Sequence, residues 1–128
     1  MVSRERLDEF IRAHRWAVVG ASEDRSKFGN ITYRELLSRG KEVYPVNPKA
    51  ERVEGATCYP SLTALPQPVD RVLIVVPPKQ GEAVVKEALE AGVDKVWFQP
   101  GAESDEALAY CEAHGMEAIA GHCILRTR

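Results

Sequence analysis

Between Gly20 and Lys27 the chain sets Ser22 and Ser26, whose hydroxyls can donate hydrogen bonds, beside Arg25 and Lys27, whose charges suit an anion carrying several phosphates. Lys49 offers a third cation from a later loop. An apolar run ends at Gly20 and a helical pattern begins near Asn30. The stretch therefore reads as strand, glycine turn and helix start, where backbone N–H groups and a helix dipole can receive a phosphate. Glu23 and Asp24 cancel much of the positive field, so the competing reading is a loop of solvated charges. Two familiar phosphate patterns fail here. A nicotinamide or flavin dinucleotide site needs G-x-G-x-x-G and an acidic residue closing the second strand. This chain has Gly20-Ala21-Ser22-Glu23-Asp24-Arg25, and its second strand closes at Asn47. No G-x-x-x-x-G-K-[ST] loop is present, so a phosphate-cleaving site has no support either.

Other constellations carry less. Cys111 and His114, at i and i+3, with His122-Cys123 make four nominal zinc ligands, but their spacing fits no known knuckle. Cys111 shares an apolar face with Leu108, and His114 suits the last turn of a helix, where a cation meets the dipole. His122 beside Cys123 suggests an activated nucleophile. Neighbouring residues on an extended chain diverge, however, so a buried, inert thiol is expected. Cys58 lies in an edge segment and suggests no chemistry. Trp16, Trp97 and Phe98 fall inside apolar strand runs and read as core rather than as a stacking platform. No pair of carboxylates stands on the expected rim for acid–base work.

The elements that position these residues follow from periodicity. Ser3 caps a flanking helix within residues 1–14, with Leu7, Phe10 and Ile11 on one stripe. Trp16 to Val19 is a continuous apolar run, as expected of a strand buried on both faces. Ile31, Tyr33, Leu36 and Leu37 give a helix closed by Gly40. Lys41 to Val46 is a second strand, stopped by Asn47-Pro48. Residues 49–56 read as loop, Thr57 to Tyr59 as a short edge strand or turn, and Ser61 to Leu65 as a brief helix. Arg71 to Val76 is a strand ended by Pro77-Pro78, Lys79 to Ala91 a helix, and Lys95 to Phe98 a strand ended by Gln99-Pro100-Gly101. Ser104 caps a helix to His114, and Met116 to Ala120 closes the pattern as a strand. Strands alternating with helices imply right-handed crossovers. The expected fold is one α/β, Rossmann-like, doubly wound parallel sheet over residues 1–128, of order 3-2-1-4-5, with a sixth strand allowed and helices on both faces. Four loops then meet on one rim: Gly20 to Lys27, Asn47 to Lys49, Pro77 to Lys79, and Gln99 to Gly101.

Composition narrows the partners. The chain has 128 residues, enough for one core, with 17 basic and 19 acidic side chains and a net charge of −2, which leaves no footprint for nucleic acid or a membrane surface. Met1 to His14 is charged throughout and lacks a signal-peptide core, and no apolar run is long enough to span a bilayer. Three widely spaced cysteines, an odd number, argue against a disulfide framework. A cytoplasmic protein is expected.

The motifs taken together carry a resemblance. Gly20-Ala21-Ser22 with Lys27 and Gly29, then Val46-Asn47-Pro48, Val76-Pro77-Pro78, Trp97-Phe98-Gln99-Pro100-Gly101 and Cys123-Ile124, resemble the stand-alone CoA-binding proteins. These are similar to the amino-terminal domain of the succinyl-CoA synthetase alpha chain and of ADP-forming acyl-CoA ligases. The resemblance, from about Trp16 to Ile124, implies coenzyme A as ligand. It implies that Ser22, Arg25, Ser26 and Lys27 hold the nucleotide phosphates and that Asn47, Pro48 and Lys49 flank the nucleotide end. It further implies that Val76 and Pro77, with Pro78 beside them, line the cleft, and that Gln99, Pro100 and Gly101 touch the pantetheine arm. The ligases carry a phosphoryl group on a histidine of the following domain, whereas this chain ends at Arg128, so ligase activity is not expected from it alone. In the family the final cysteine commonly follows an Asp-Arg pair; here it follows Gly121-His122. Near the thiol of a bound CoA, Cys123 could form a mixed disulfide under oxidation. The implied function is non-catalytic binding of CoA or an acyl-CoA. The alternatives are a CoA-binding subunit of a split ligase with a ligase-like partner, and a nucleotide-sensing regulator.

Overall fold

Alternation along each strand decides which side of the sheet a side chain feeds. A computed structural model describes residues 2–128, so Met1 of the expected flanking segment lies outside the described residues. In chain order the elements are α1 (Arg4–Ile11), β1 (Arg15–Val19), α2 (Phe28–Ser38), β2 (Glu42–Val46), β3 (Arg52–Val53), β4 (Ala56–Thr57), β5 (Arg71–Ile74), α3 (Gly81–Glu90), β6 (Lys95–Phe98), α4 (Asp105–Ala113) and β7 (Glu117–Ile119). Five strands form a parallel sheet of order β2-β1-β5-β6-β7. Trp16, Val18, Leu73, Trp97 and Ile119 face one layer with Leu7, Phe10, Tyr33 and Leu36, from α1 and α2. Ala17, Val19, Val72, Ile74, Val96 and Phe98 face the other, with Val85, Ala88, Ala107 and Cys111 from α3 and α4. The α/β, doubly wound parallel sheet expected from the sequence is the observed one, with helices on both faces.

The docking of α1 shows how polar groups fix a packed element. Phe10 is fully buried against Trp16 and Trp97, edge-on, with ring centroids 6.2 and 5.8 Å away, a burial worth about 1.5–3 kcal/mol. The carbonyls left over at the end of the helix are then taken up. Arg71 Nε donates to Phe10 O (3.2 Å), Lys41 Nζ to Ile11 O (2.6 Å) and Trp16 Nε1 to Ala13 O (2.9 Å). Arg71 also lies over the Phe10 ring at 4.7 Å, and burial pushes the Lys41 ammonium below its usual range.

Local differences from the sequence expectation have local causes. The expected edge strand Thr57 to Tyr59 contracts to one parallel bridge, Tyr59 to Val46: Tyr59 N donates to Pro45 O and Tyr59 O accepts from Asn47 N, both at 2.9 Å, while the next acceptor along the strand, Asn47 O, is taken by Ala50 N (3.3 Å). Residues 49–56, expected as loop, hold all but the last residue, Thr57, of the β3–β4 hairpin, whose central residues Glu54 (φ 50°) and Gly55 (φ 82°) both take the left-handed conformation of a type I′ turn. Two-residue strands are too short to show periodicity. β5 stops at Ile74; Val75 N still donates to Val19 O (2.8 Å), and the chain then leaves the sheet for Pro77-Pro78. Ser61 to Leu65 narrows to a 3-10 turn at Leu62–Ala64, and a second such turn, Pro78–Gln80, precedes α3. Among the described residues no helix is long and apolar enough to cross a membrane.

Candidate functional site

Because the strands run parallel, the segments after Val19, Val46, Ile74, Phe98 and Ile119 open on one rim. Two glycines let the first of these segments pack tightly. Gly20 has φ 100°, and a Cβ there would lie 2.2 Å from the Val75 carbonyl oxygen; a Cβ on Gly29 would lie 1.9 Å from the Gly20 carbonyl oxygen. The start of α2 is thus pressed onto the turn after β1. Among the described residues no acceptor meets the N–H of Phe28 or of Gly29, so α2 presents two open donors there.

Side chains brace this turn. Asn30, fully buried, donates through Nδ2 to Ser22 O (2.8 Å) and to the Glu54 carboxylate (3.0 Å). Its Oδ1 accepts from Arg34 Nε (2.6 Å), and Arg34 also donates to Arg25 O (3.2 Å). Asn47 Nδ2 donates to Ala21 O (2.8 Å), and Asn47 Oδ1 accepts from Lys49 N (2.9 Å). The carbonyls of Ala21, Ser22 and Arg25 are therefore occupied, which removes acceptors that would repel an anion. Glu54, at the hairpin tip, pairs with Arg25 (3.3 Å), and its N–H donates to Glu23 Oε1 (3.0 Å). The Asn30 bond, ahead of the Arg25 charge, holds the Glu54 carboxyl below the usual carboxylate range. Asp24 is lowered in the same way by Ser26, whose hydroxyl (2.6 Å) and N–H (3.0 Å) both donate to it. Ser22 Oγ accepts from Asp24 N (3.0 Å). The acidic residues that cancelled the field in sequence terms serve as braces. Lys27, Pro48 and Lys49 are exposed, and neither lysine joins an ion pair among the described residues.

Phe28, just past this turn and 59% exposed, leads into a groove of about 500 Å³. Of the expected site residues, Val76, Gln99, Pro100 and Gly101 line it, whereas Pro77 and Pro78 are exposed and stand outside its wall. Gly20, Ala21, Ser22, Arg25, Ser26 and Lys27 form the adjoining turn, to which Asn47 is bonded, rather than the groove itself. The structure adds Phe28, Val75, Ala102, Cys123, Leu125 and Arg126 to the wall. Gln99 fixes the last of these: Oε1 accepts from Ile124 N (2.8 Å), and Nε2 donates to Cys123 Sγ (3.2 Å). Arg39 then holds Ile124 O (2.8 Å) and Thr127 O (3.0 Å), while Trp97 Nε1 holds His122 O (2.8 Å). These terminal residues follow the last strand, where no periodicity marks them. Asn30 carried one signal, a polar residue at a helix start directly after a glycine.

Cys123 departs from expectation. Residues 121–123 are not strand, and the thiol is half-buried in the groove wall rather than enclosed, because Gln99 draws the segment across the rim. The nominal zinc ligands are not brought together. Cys111 sits in the layer under α3 and α4 with its thiol pushed up to about 11 by burial, while His114 stacks on Tyr110 at 3.9 Å. Trp16, Trp97 and Phe98 are fully buried core residues, as expected.

A turn with open N–H donors beside a mostly apolar groove suits a long ligand, charged at one end. Comparison with known proteins points the same way. The chain is 33% identical over 129 residues to the alpha subunit of ADP-forming acetate–CoA ligase II of Pyrococcus furiosus, matching 92% of this chain and 28% of that subunit. It spans less than a third of the length of the ligases it matches first, only 17% of one from Archaeoglobus fulgidus. It is 28% identical to the uncharacterized protein YneT of Bacillus subtilis, over 95% of this chain and 91% of that one. Among solved structures, a conserved hypothetical protein from Pyrococcus furiosus superposes with a TM-score of 0.84 at 51% identity, covering 88% of this chain and 97% of that one. Residues 14–127 match the model of the CoA binding domain, CoA_binding_2, and the chain belongs to that family.

Proposed function

We propose that the chain binds coenzyme A, free or acylated, at the C-terminal ends of the parallel strands, and carries out no chemistry on it. The observation that carries this reading is continuity: the open N–H groups of Phe28 and Gly29, with Lys27 beside them, lead directly into an apolar groove. Such a path fits a ligand with nucleotide phosphates at one end and a pantetheine arm at the other. In this reading Ser22, Arg25, Ser26 and Lys27 take the phosphates, with Arg25 exchanging Glu54 for the ligand. Gly20 and Ala21 shape the turn, and Asn47, Pro48 and Lys49 flank the nucleotide. Val76, Pro77 and Pro78 border the cleft, and Gln99, Pro100 and Gly101 contact the arm. The residues lining the groove include no carboxylate and no histidine, which supports holding over acid–base catalysis. The reading suits a cytoplasmic protein, whose three free cysteines stay reduced.

Thermal unfolding against CoA, dephospho-CoA, acetyl-CoA, NAD, NADP and ATP tests it. A ligand at about 100 times its dissociation constant adds roughly 2.7 kcal/mol of stability, an easily measured shift. Stabilisation by CoA or acetyl-CoA is expected; stabilisation by NAD without CoA would overturn the reading. The match to a ligase alpha subunit favours one second reading, a CoA-binding subunit that docks on a separate ligase-like partner. Co-purification of such a partner, with turnover only in the reconstituted pair, distinguishes it from the free module.

A further inference from the structure

Resting on the reading of the Gly20 to Lys27 turn as the phosphate end of a CoA site, we propose that Glu54 competes with a ligand phosphate for Arg25 and Asn30, and that this internal contact holds the affinity for CoA down. A carboxylate oxygen and a phosphate oxygen ask for the same partners, N–H groups that carry or adjoin positive charge. One oxygen, Glu54 Oε2, takes two of them: Asn30 Nδ2 donates to it at 3.0 Å, and Arg25 Nε stands 3.3 Å from it. Among the described residues Arg25 has no other ion-pair partner. The donors themselves are fixed from behind. Arg34 donates to Asn30 Oδ1 (2.6 Å) and to Arg25 O (3.2 Å), and the fully buried Asn30 also holds Ser22 O (2.8 Å). They belong to the turn and the start of α2, whereas Glu54 reaches them from the separate two-stranded sheet of β3 and β4. The carboxylate is therefore the party that can be displaced.

The backbone at Glu54 gives a second indication. Among the described residues it is the only non-glycine with a positive φ, and it fills the first central position of a type I′ turn, where asparagine, aspartate or glycine is preferred. Glutamate suits that turn less well but has the longer reach. A local preference is set aside here where a contact between segments offsets it. The Glu54 N–H donates to Glu23 Oε1 (3.0 Å), which ties the hairpin tip to the same turn.

A ligand phosphate that takes Arg25 must replace the Glu54 carboxylate, which stays tethered nearby as a like charge. Glu54 thus acts in opposite directions on two equilibria: its contacts favour the folded chain and disfavour the complex. Removing its charge should loosen the fold and tighten CoA.

Titration calorimetry of CoA against the original protein, Glu54→Gln, Arg25→Gln and the double variant tests the proposal. Glu54→Gln should bind CoA about two- to fivefold more tightly, the range of a partly exposed ion pair. Arg25→Gln should cost more affinity in the Glu54→Gln background than in the original, because only there is Arg25 free for the ligand. A general repulsion from Glu54 would instead leave the two costs equal. Equal costs, or no tightening in Glu54→Gln, would overturn the proposal. The unaltered protein gives a reading that needs no variant: Asn30 Nδ2 exchanges one acceptor for another, so its side-chain amide NMR signals should move as CoA is added. Signals that stay in place at saturation would overturn it as well. Binding of CoA with none of these effects removes the competition and keeps the CoA site, whereas no binding by any of the four proteins removes both.

Discussion

Replacing Gly29 by alanine sets two magnitudes against each other. In a helix, alanine is favoured over glycine by up to about 1 kcal/mol, so propensity alone makes Gly29→Ala stabilising. The new Cβ, however, would stand 1.9 Å from the Gly20 carbonyl oxygen and 2.9 Å from its carbon, and both are backbone atoms that cannot rotate aside. Relief requires α2 to lift from the turn after β1. Gly20 has little room to yield in the other direction, because it already packs on the Val75 carbonyl so closely that a Cβ built on it would lie 2.2 Å from that oxygen. Overpacking of this kind costs about 1–3 kcal/mol, and because backbone meets backbone the upper part of that range applies. The net expectation is a loss of about 1–2 kcal/mol, or roughly 3–10 °C in melting temperature for a chain of this size. Gly81→Ala is the matched control. Gly81 also opens a helix and is buried, but its Cβ would meet only ordinary contacts at 3.4 Å or more, so that variant should hold or gain stability. Lifting α2 also moves the Phe28 and Gly29 N–H groups, so CoA affinity should fall in Gly29→Ala and not in Gly81→Ala. Calorimetric melting with a CoA titration reads both quantities. A Gly29→Ala protein as stable as the original would refute the claim that close approach of helix and turn shapes the site.

Two further outcomes are expected. Lys27→Glu should weaken CoA at least about tenfold, by replacing a charge-assisted contact with repulsion, and leave the melting temperature nearly unchanged because the residue is exposed; unaltered affinity by titration calorimetry would exclude Lys27 from the site. Glu54 supplies a pH test. Its carboxyl is held below the ordinary value of 4.5, so the stability it contributes is present above that pH and is lost as pH falls through the lower folded value. Melting curves of the original and of Glu54→Gln should therefore converge below about pH 4.5, and a gap that stays constant with pH would contradict the brace described at the hairpin tip.

Much of this architecture was legible in local pattern. The runs Trp16 to Val19, Arg71 to Val76 and Lys95 to Phe98 are apolar on both faces, which a two-sided parallel sheet demands, and helices spaced between them leave one topology class open. The rim loops followed, because proline and glycine end strands for reasons internal to the chain. The hairpin at Glu54 was not legible: its strands have two residues each, and its role depends on where Asn30 and Arg25 happen to lie. Nor was the wall formed by Cys123, Leu125 and Arg126, which follows the last strand and is placed by bonds from Gln99 and Arg39, residues 24 and 85 positions distant from their partners Cys123 and Ile124. Sequence by itself determined the sheet, its rim and a glycine turn leading into a helix start, since these rest on periodicity and backbone chemistry. Only the tertiary structure decided which polar side chains brace that turn and which thiol faces the groove, because those depend on hydrogen bonds between segments that no local pattern records.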